Sequence, residues 1–194
     1  MPLILGTLAS SVQKATTAFE SIATVSPTSG TSITFSSIPQ TYQHLQIRMM
    51  TRDAFSTFGG NYDLALQVNN VTASVYTRHV LQGNGTTASA SGGAASTSMN
   101  LSRTGMWSGS PVPSNTFAVA LIDIQDYSST SKNKTIRYFS GGDFNSTSGD
   151  APGGVALGSG LYIQTTAISS ITIFGASSAF VSGTTFALYG IKGA

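Results

Sequence analysis

The chain has 194 residues, of which 40% are hydrophobic and only 8% are charged, and its formal net charge is +2. An average soluble domain is about one quarter charged, so uncharged polar residues must cover most of this surface. The weak charge and the lack of a basic stripe with aromatics argue against nucleic-acid binding, and the absence of cysteine excludes disulfides and thiolate chemistry.

The start of the chain predicts an N-terminal arm, residues 1–18, in front of a single domain, residues 19–194. The apolar run in this arm is shorter than the ~18 residues that a membrane span needs, and it lacks the leading basic residues of a secretory signal. The stretch Ser10–Ile22 could form a short helix, although its Thr and Ser content weakens that prediction. We expect the arm to bury four side chains against a partner or against the chain's own body: Leu3, Ile4, Leu5 and Leu8.

From residue 32 onward the hydrophobic period is two, which predicts β-strands. In His44–Met49 the apolar side chains of Leu45, Ile47 and Met49 should face a core, with the intervening polar ones outside. The residues Phe117, Val119 and Leu121 alternate in a similar way. The other predicted strands are Ser32–Phe35, Tyr62–Val68, Ser74–Leu81, Met99–Trp107, Phe117–Ile124, Thr135–Phe139, Gly160–Gln164, Ser169–Phe174 and Thr185–Ile191.

Glycine-rich breaks separate these runs, for example Gly83-Asn84-Gly85, Gly92-Gly93 and Gly141-Gly142. About ten short strands with such breaks predict an all-β fold, an antiparallel β-sandwich or jelly roll. The Ser/Ala/Gly-rich segment Thr86–Ser98 is predicted to be a long surface loop, or a stretch that is ordered only by a neighbour.

The search for catalytic residues gives no motif. The two histidines, His44 and His79, lie on predicted strands without a partner motif, so we expect no enzymatic activity and no cofactor. Asp123 and Asp126 could in principle bind a cation or cleave a glycoside as a carboxylate pair. Their position at a strand end favours a simpler role, which is to shape a turn.

Two further charged segments have structural interpretations. The basic cluster of Lys132, Lys134 and Arg137 lies beside a turn and is interpreted as a solvated strand end. The segment Asp143–Asp150 has oxygen-bearing side chains at alternating positions, as a calcium loop does, but it lacks the bidentate Glu and the glycine at the sixth position. We therefore expect no metal at Asp143–Asp150.

Aromatic side chains offer a binding alternative, since sugars stack on exposed Trp and Tyr rings. Trp107 is the sole tryptophan and could lie in an exposed loop, although burial at one end of the core is favoured. Further candidates for glycan contact are Tyr62, Tyr76, Tyr127 and Tyr162.

Five sequence blocks together resemble a widespread group of tailed-bacteriophage virion structural proteins. They are Phe19–Val25, Ile33–Arg48, Ala120–Tyr127, Gly160–Tyr162 and Gly183–Gly193. The resemblance implies a non-enzymatic β-sandwich building block of the virion, commonly a homotrimer, in contact with other virion proteins such as the major capsid or tail proteins.

The chain shows no heptads and no shaft repeats, unlike a tail fibre. We therefore expect a compact capsid decoration or cement protein, or a small tail protein, whose arm docks on a neighbouring protein. The alternative is a module that recognises host-surface glycans, with Trp107 as its contact residue.

Overall fold

The computed structural model of the protein describes residues 18–57, 60–109, 112–143 and 153–193, and in these ranges it contains strands and no helix. The predicted all-β antiparallel sandwich is therefore confirmed. Residues 1–17, with the apolar side chains of the predicted arm, lie outside the described residues. The strands are β1 (Phe19–Val25), β2 (Ser32–Phe35), β3 (His44–Thr51), β4 (Asn61–Val68), β5 (Tyr76–Gly83), β6 (Ala88–Ser96), β7 (Met99–Met106), β8 (Ala118–Ile124), β9 (Lys134–Gly142), β10 (Gly154–Tyr162), β11 (Ile171–Phe174) and β12 (Thr185–Ile191).

The strands form two antiparallel sheets of unequal size. The large sheet has the order β1-β12-β3-β8-β9-β10-β5-β6, and the small sheet has the order β2-β11-β4-β7. If the hairpins β5–β6 and β9–β10 are set aside, four strands remain in each sheet, and consecutive strands alternate between the sheets except from β4 to β7. This is the winding of a jelly roll, and the two hairpins extend its large sheet beyond β8.

The core lies between the two sheets and is filled by alternate residues of both. Leu45 and Ile47 of β3 and Leu64 and Leu66 of β4 are fully buried and belong to one hydrophobic cluster. The predicted inward positions of β3 are thus confirmed, since Met49 is also buried.

A tyrosine fixes the contact between the sheets. Tyr138 of β9 crosses the core, and its hydroxyl oxygen accepts a hydrogen bond of 3.0 Å from the backbone N–H of Ser102 in β7. The ring lies over Gly158 of β10, where a Cβ atom would come within 2.0 Å of it. Glycine is therefore required at this strand position, although glycine generally weakens strands.

Three predictions about elements are wrong. The helix suggested for Ser10–Ile22 is contradicted at its end, because Phe19–Ile22 lie in β1, whereas residues 10–17 lie outside the described residues. Strand β1 pairs with β12 and has a β-bulge between Ser21 and Ala23 that hides the period of two. The loop predicted for Thr86–Ser98 contains β6, which pairs with β5 through both Gly92 and Gly93. Pairing with a neighbouring strand here overrides the low strand propensity of Ala, Ser and Gly. The third error is one of position, because β10 begins at Gly154 and ends before Gln164.

Candidate interaction surface

The outer face of the large sheet, which points away from the small sheet, carries a set of large apolar side chains in solvent. Their exposed fractions run from 44% for Met50 to 58% for Phe139 and Leu157. We call this set the apolar patch, and it consists of Met50, Leu81, Val119, Phe139, Val155 and Leu157.

The register of the strands makes the patch continuous. Leu81 of β5 lies opposite Leu157 of β10, and Leu157 lies opposite Phe139 of β9. In the next row toward the strand ends, Val119 of β8 lies opposite Met50 of β3. From the exposed fractions we estimate about 500 Å² of accessible apolar area, which is near the top of the ~300–600 Å² that the largest patch on a typical monomer reaches. Patches of this size are often functional, so the patch is a candidate interaction surface.

Four of the six patch residues, Met50, Val119, Phe139 and Val155, line a concave groove of about 1100 Å³ rather than a flat surface. The β5–β6 turn at Gly83–Gly85, Phe117 and Asp143 border the groove at one end of the sheet. Gly141 lies in its floor between Val119 and Val155, where the missing side chain leaves room. A second depression of about 620 Å³ lies over β5, β6, β9 and β10, and its lining includes the patch residues Leu81 and Leu157.

A row of mostly polar residues, which we call the polar band, borders the patch on the side away from Gly83. It runs across the sheet in register, and its members are His79, Ser159, Arg137, Asp123, Gln46 and Tyr189. Within the band the amide nitrogen of Gln46 donates to a carboxylate oxygen of Asp123 at 2.9 Å. The charges of the outer face are therefore concentrated beside the groove, with Arg48 as the cation that lines the groove itself.

The buried pair Arg52 and Asp53 holds the loops at the groove end of the sandwich. The Arg52 guanidinium donates to the carbonyl oxygens of Pro113 at 2.7 Å and Thr116 at 2.8 Å, next to Phe117 at the groove border. The Asp53 carboxylate accepts from the backbone N–H of Ser177 at 3.0 Å. Burial lowers the pKa of Arg52 and raises the pKa of Asp53. Sequence analysis did not identify this pair, because adjacent charges after a strand resemble a solvated strand end.

The turn interpretation of Asp126 is confirmed. Asp126 has a positive φ of 47°, and its backbone N–H donates to Nδ1 of His44 at 2.9 Å. Its carboxylate pairs with Lys132 at 2.7 Å, a hydrogen bond that lowers the pKa of Asp126. Asp123 instead bonds Gln46 on the outer face, so the two carboxylates do not form one site. The described residues contain no group of three or more His, Asp or Glu side chains that could hold a metal ion.

The solvated interpretation of the basic cluster is wrong for Lys134. This side chain is fully buried, and its ammonium group donates to the carbonyl oxygens of Ser129 at 2.7 Å, Lys132 at 2.6 Å and Thr165 at 2.9 Å. Burial lowers the pKa of Lys134. The residue thus fastens the turn between β8 and β9 to the chain that follows β10.

Trp107 is half-buried and packs against the core. One face of its ring stacks on Tyr62, with ring centroids 5.4 Å apart and planes 12° apart, and its Nε1 donates to Oγ of Ser177 at 3.3 Å. The four tyrosines suggested as further glycan contacts are all buried in the core, so that suggestion is wrong.

The remaining predicted positions lie outside the described residues. These are Leu3, Ile4, Leu5 and Leu8 of the arm, together with residues 144–150 of the calcium-like segment. The described chain begins at Ala18, whose carbonyl oxygen accepts from the backbone N–H of Lys192 at 3.0 Å.

Comparisons of this chain with models of protein families, with curated proteins and with solved structures found no match. Among the described residues, no helix has the length and apolar character needed to cross a membrane.

Proposed function

We propose that this protein is a non-enzymatic structural component of a bacteriophage virion. It assembles with copies of itself as a trimer and attaches to the particle as a capsid decoration or cement protein, or as a small tail protein. The observation that carries the proposal is the apolar patch, whose six large side chains are each about half exposed in the isolated chain.

The energetics of the patch favour permanent contact. At roughly 25 cal/mol per Å², burying about 500 Å² of apolar surface contributes on the order of 10 kcal/mol before the cost of association is subtracted. Few charges oppose this contact, since only 8% of the residues are charged and the polar band lies to one side. A surface of this kind suits a protein that is buried among neighbours in its working state.

The fold and the sequence blocks support the same proposal. Jelly rolls serve in viral capsids and in lectins, so the architecture is compatible with a particle component without proving one. Two of the five blocks that resemble phage virion proteins map onto strands of the jelly roll. Block Ile33–Arg48 includes nearly all of β2 and most of β3, and block Gly183–Gly193 includes β12. These strands are part of the jelly-roll framework, whereas much of the patch lies on the inserted hairpins.

Two measurements test the proposal. Analytical ultracentrifugation of the full chain should give a trimer, and immunogold labelling of purified particles of the encoding phage should place the protein on their surface. Hundreds of copies per particle would indicate capsid decoration, and a handful would indicate a tail protein. A chain that stays monomeric at all concentrations and is absent from the particles would overturn the proposal.

Glycan recognition is the alternative, and Trp107 is its main support. The stacking of Trp107 on Tyr62 and its bond to Ser177 occupy one ring face and the indole N–H. We therefore favour assembly. If glycan binding were the function, Trp107→Ala would reduce adsorption to host cells while the particles kept their stability.

A further inference from the structure

We propose that the groove of one copy receives the N-terminal segment, residues 1–17, of a neighbouring copy. This inference rests on the proposed self-assembly and names the contact that produces it. Each copy would then give one arm and accept one arm, an arrangement that closes into a ring when three copies are related by a threefold axis.

The chemistry of the segment matches that of the groove. Residues 1–17 include the apolar side chains of Leu3, Ile4, Leu5 and Leu8, and their only charged side chain is that of Lys14. The groove floor is formed by Val119, Phe139 and other patch residues across β3, β8, β9 and β10. The stretch Leu3–Leu8 has no charged side chain, so it can enter such a floor without leaving a buried charged side chain unpaired.

The shape of the groove favours an inserted segment over a second copy of the same face. A two-fold contact requires a surface that is complementary to itself. Two concave grooves of about 1100 Å³ placed face to face would enclose empty space instead of packing. An extended segment is convex and narrow, and its side chains can fill the depression.

The direction of the chain favours a neighbour's groove over the chain's own. Phe19, the first residue of β1, pairs with Ile191 of β12, and Ile191 pairs with His44, the first residue of β3. The groove lies at the other end of β3, near Met50. Two hydrogen bonds hold the start of β1 at the end of the sheet away from the groove. The backbone N–H of Lys192 donates to the carbonyl oxygen of Ala18, and the hydroxyl of Tyr42 donates to the carboxylate of Glu20. To reach its own groove the arm would have to reverse direction and cross the polar band.

The arm is long enough to reach a neighbour. Seventeen extended residues span about 56 Å, whereas the lateral distance from β1 to β5 is only about 29 Å at ~4.8 Å per strand. An extended arm that continued outward from β1 would carry its apolar residues well beyond its own sheet.

Full-length variants test the exchange by complementation. The arm variant carries Leu3→Asp and Leu5→Asp, and the groove variant carries Phe139→Asp. Matched controls add the same charges elsewhere, with Ser10→Asp and Ser11→Asp in the arm. For the groove, the control is Ile163→Asp, because Ile163 is 43% exposed and does not line the groove.

Sedimentation of the variants separates the outcomes. We expect the arm and groove variants to be monomers alone, and an equimolar mixture to form a 1:1 dimer, because the intact arm of the groove variant enters the intact groove of the arm variant. The controls should assemble as the wild type does. A mixture that stays monomeric, or an arm variant that assembles normally, would overturn the inference.

Cross-linking locates the contact independently of any loss of assembly. The chain has no cysteine, so Leu5→Cys in one preparation and Phe139→Cys in another supply one thiol per chain. Oxidation of the mixture should give a heterodimer far in excess of that from Leu5→Cys mixed with Ile163→Cys. Equal yields would contradict arm exchange. A monomeric wild type absent from particles would instead count against the proposed function itself.

Discussion

The two faces of the large sheet differ in what covers them, although the same strands build both. Tyr138 and Phe139 are neighbours on β9, yet Tyr138 is 2% exposed and Phe139 is 58% exposed. The inner face is complete within one chain, because the small sheet covers it. The outer face has an equally apolar centre, and nothing within the described residues covers it.

This difference separates folding from assembly within one element. The residues of the inner face determine whether the sandwich forms, and those of the outer face determine what the sandwich binds. Because alternate residues serve the two faces, a substitution at one position should affect one property and spare the other. The following predictions test that separation, beginning with the largest expected effect.

The pair Tyr138→Ala and Phe139→Ala tests the separation directly. Tyr138→Ala removes a buried ring and leaves the Ser102 N–H without its acceptor, so we expect a loss of about 4 kcal/mol in the free energy of unfolding. Phe139→Ala should cost under about 0.5 kcal/mol in the monomer, since its ring is exposed. Urea denaturation at low protein concentration measures both. Equal losses would show that the two faces are not independent.

Lys134→Met, compared with Lys132→Met, extends the test to a charged side chain. The buried ammonium of Lys134 serves three backbone carbonyl oxygens, and methionine keeps the aliphatic chain without the donor. We expect a loss of about 2 to 3 kcal/mol for Lys134→Met. Lys132 is exposed, so Lys132→Met should cost well under about 1 kcal/mol. A neutral Lys134→Met would show that the carbonyl groups find other donors.

The side chains that face the core were predictable from the sequence, whereas the exposed apolar side chains on the outer face of the large sheet were not. Alternation identified β3, β4 and β12, because one face of each supplies side chains to the core. The residues Phe117, Val119 and Leu121 also alternate, but Val119 is 52% exposed on the outer face while Ala118, Ala120 and Ile122 are buried. A period of two gives the spacing of a face but not which face meets the core.

A signal for the outer face was nevertheless present. Residues 118–122 are all apolar, and a continuous apolar run is typical of a strand that is covered on both faces. The signal was weaker in β10, where Val155 and Leu157 are separated by Ala156 and flanked by glycines. Lys134 gave no signal, because its burial depends on carbonyl groups that only the folded chain brings together.

Trp107→Ala sharpens the comparison at a side chain that is half-buried. Loss of the ring removes its stacking on Tyr62 and its contact with Phe55, so we expect a loss of about 2 kcal/mol in the free energy of unfolding. Thermal or urea denaturation of the purified variant measures it. Unchanged stability together with lost adsorption to host cells would favour glycan binding over assembly.

Asp126→Asn should have the smallest effect on the free energy of unfolding, and this effect should depend on pH. The hydrogen bond from Lys132 lowers the folded-state pKa of Asp126 below its unfolded value of about 3.9. Its stabilising contribution is therefore present above about pH 4 and is lost as the pH falls through the folded-state pKa. Urea midpoints of wild type and Asp126→Asn should differ slightly at pH 6 and converge toward pH 2. Lys132→Met should flatten the profile of the wild type over the same range, because it removes the donor that lowers the pKa. Parallel profiles for all three proteins would show that the ion pair contributes nothing to folding, as expected of an exposed pair that solvent fully screens.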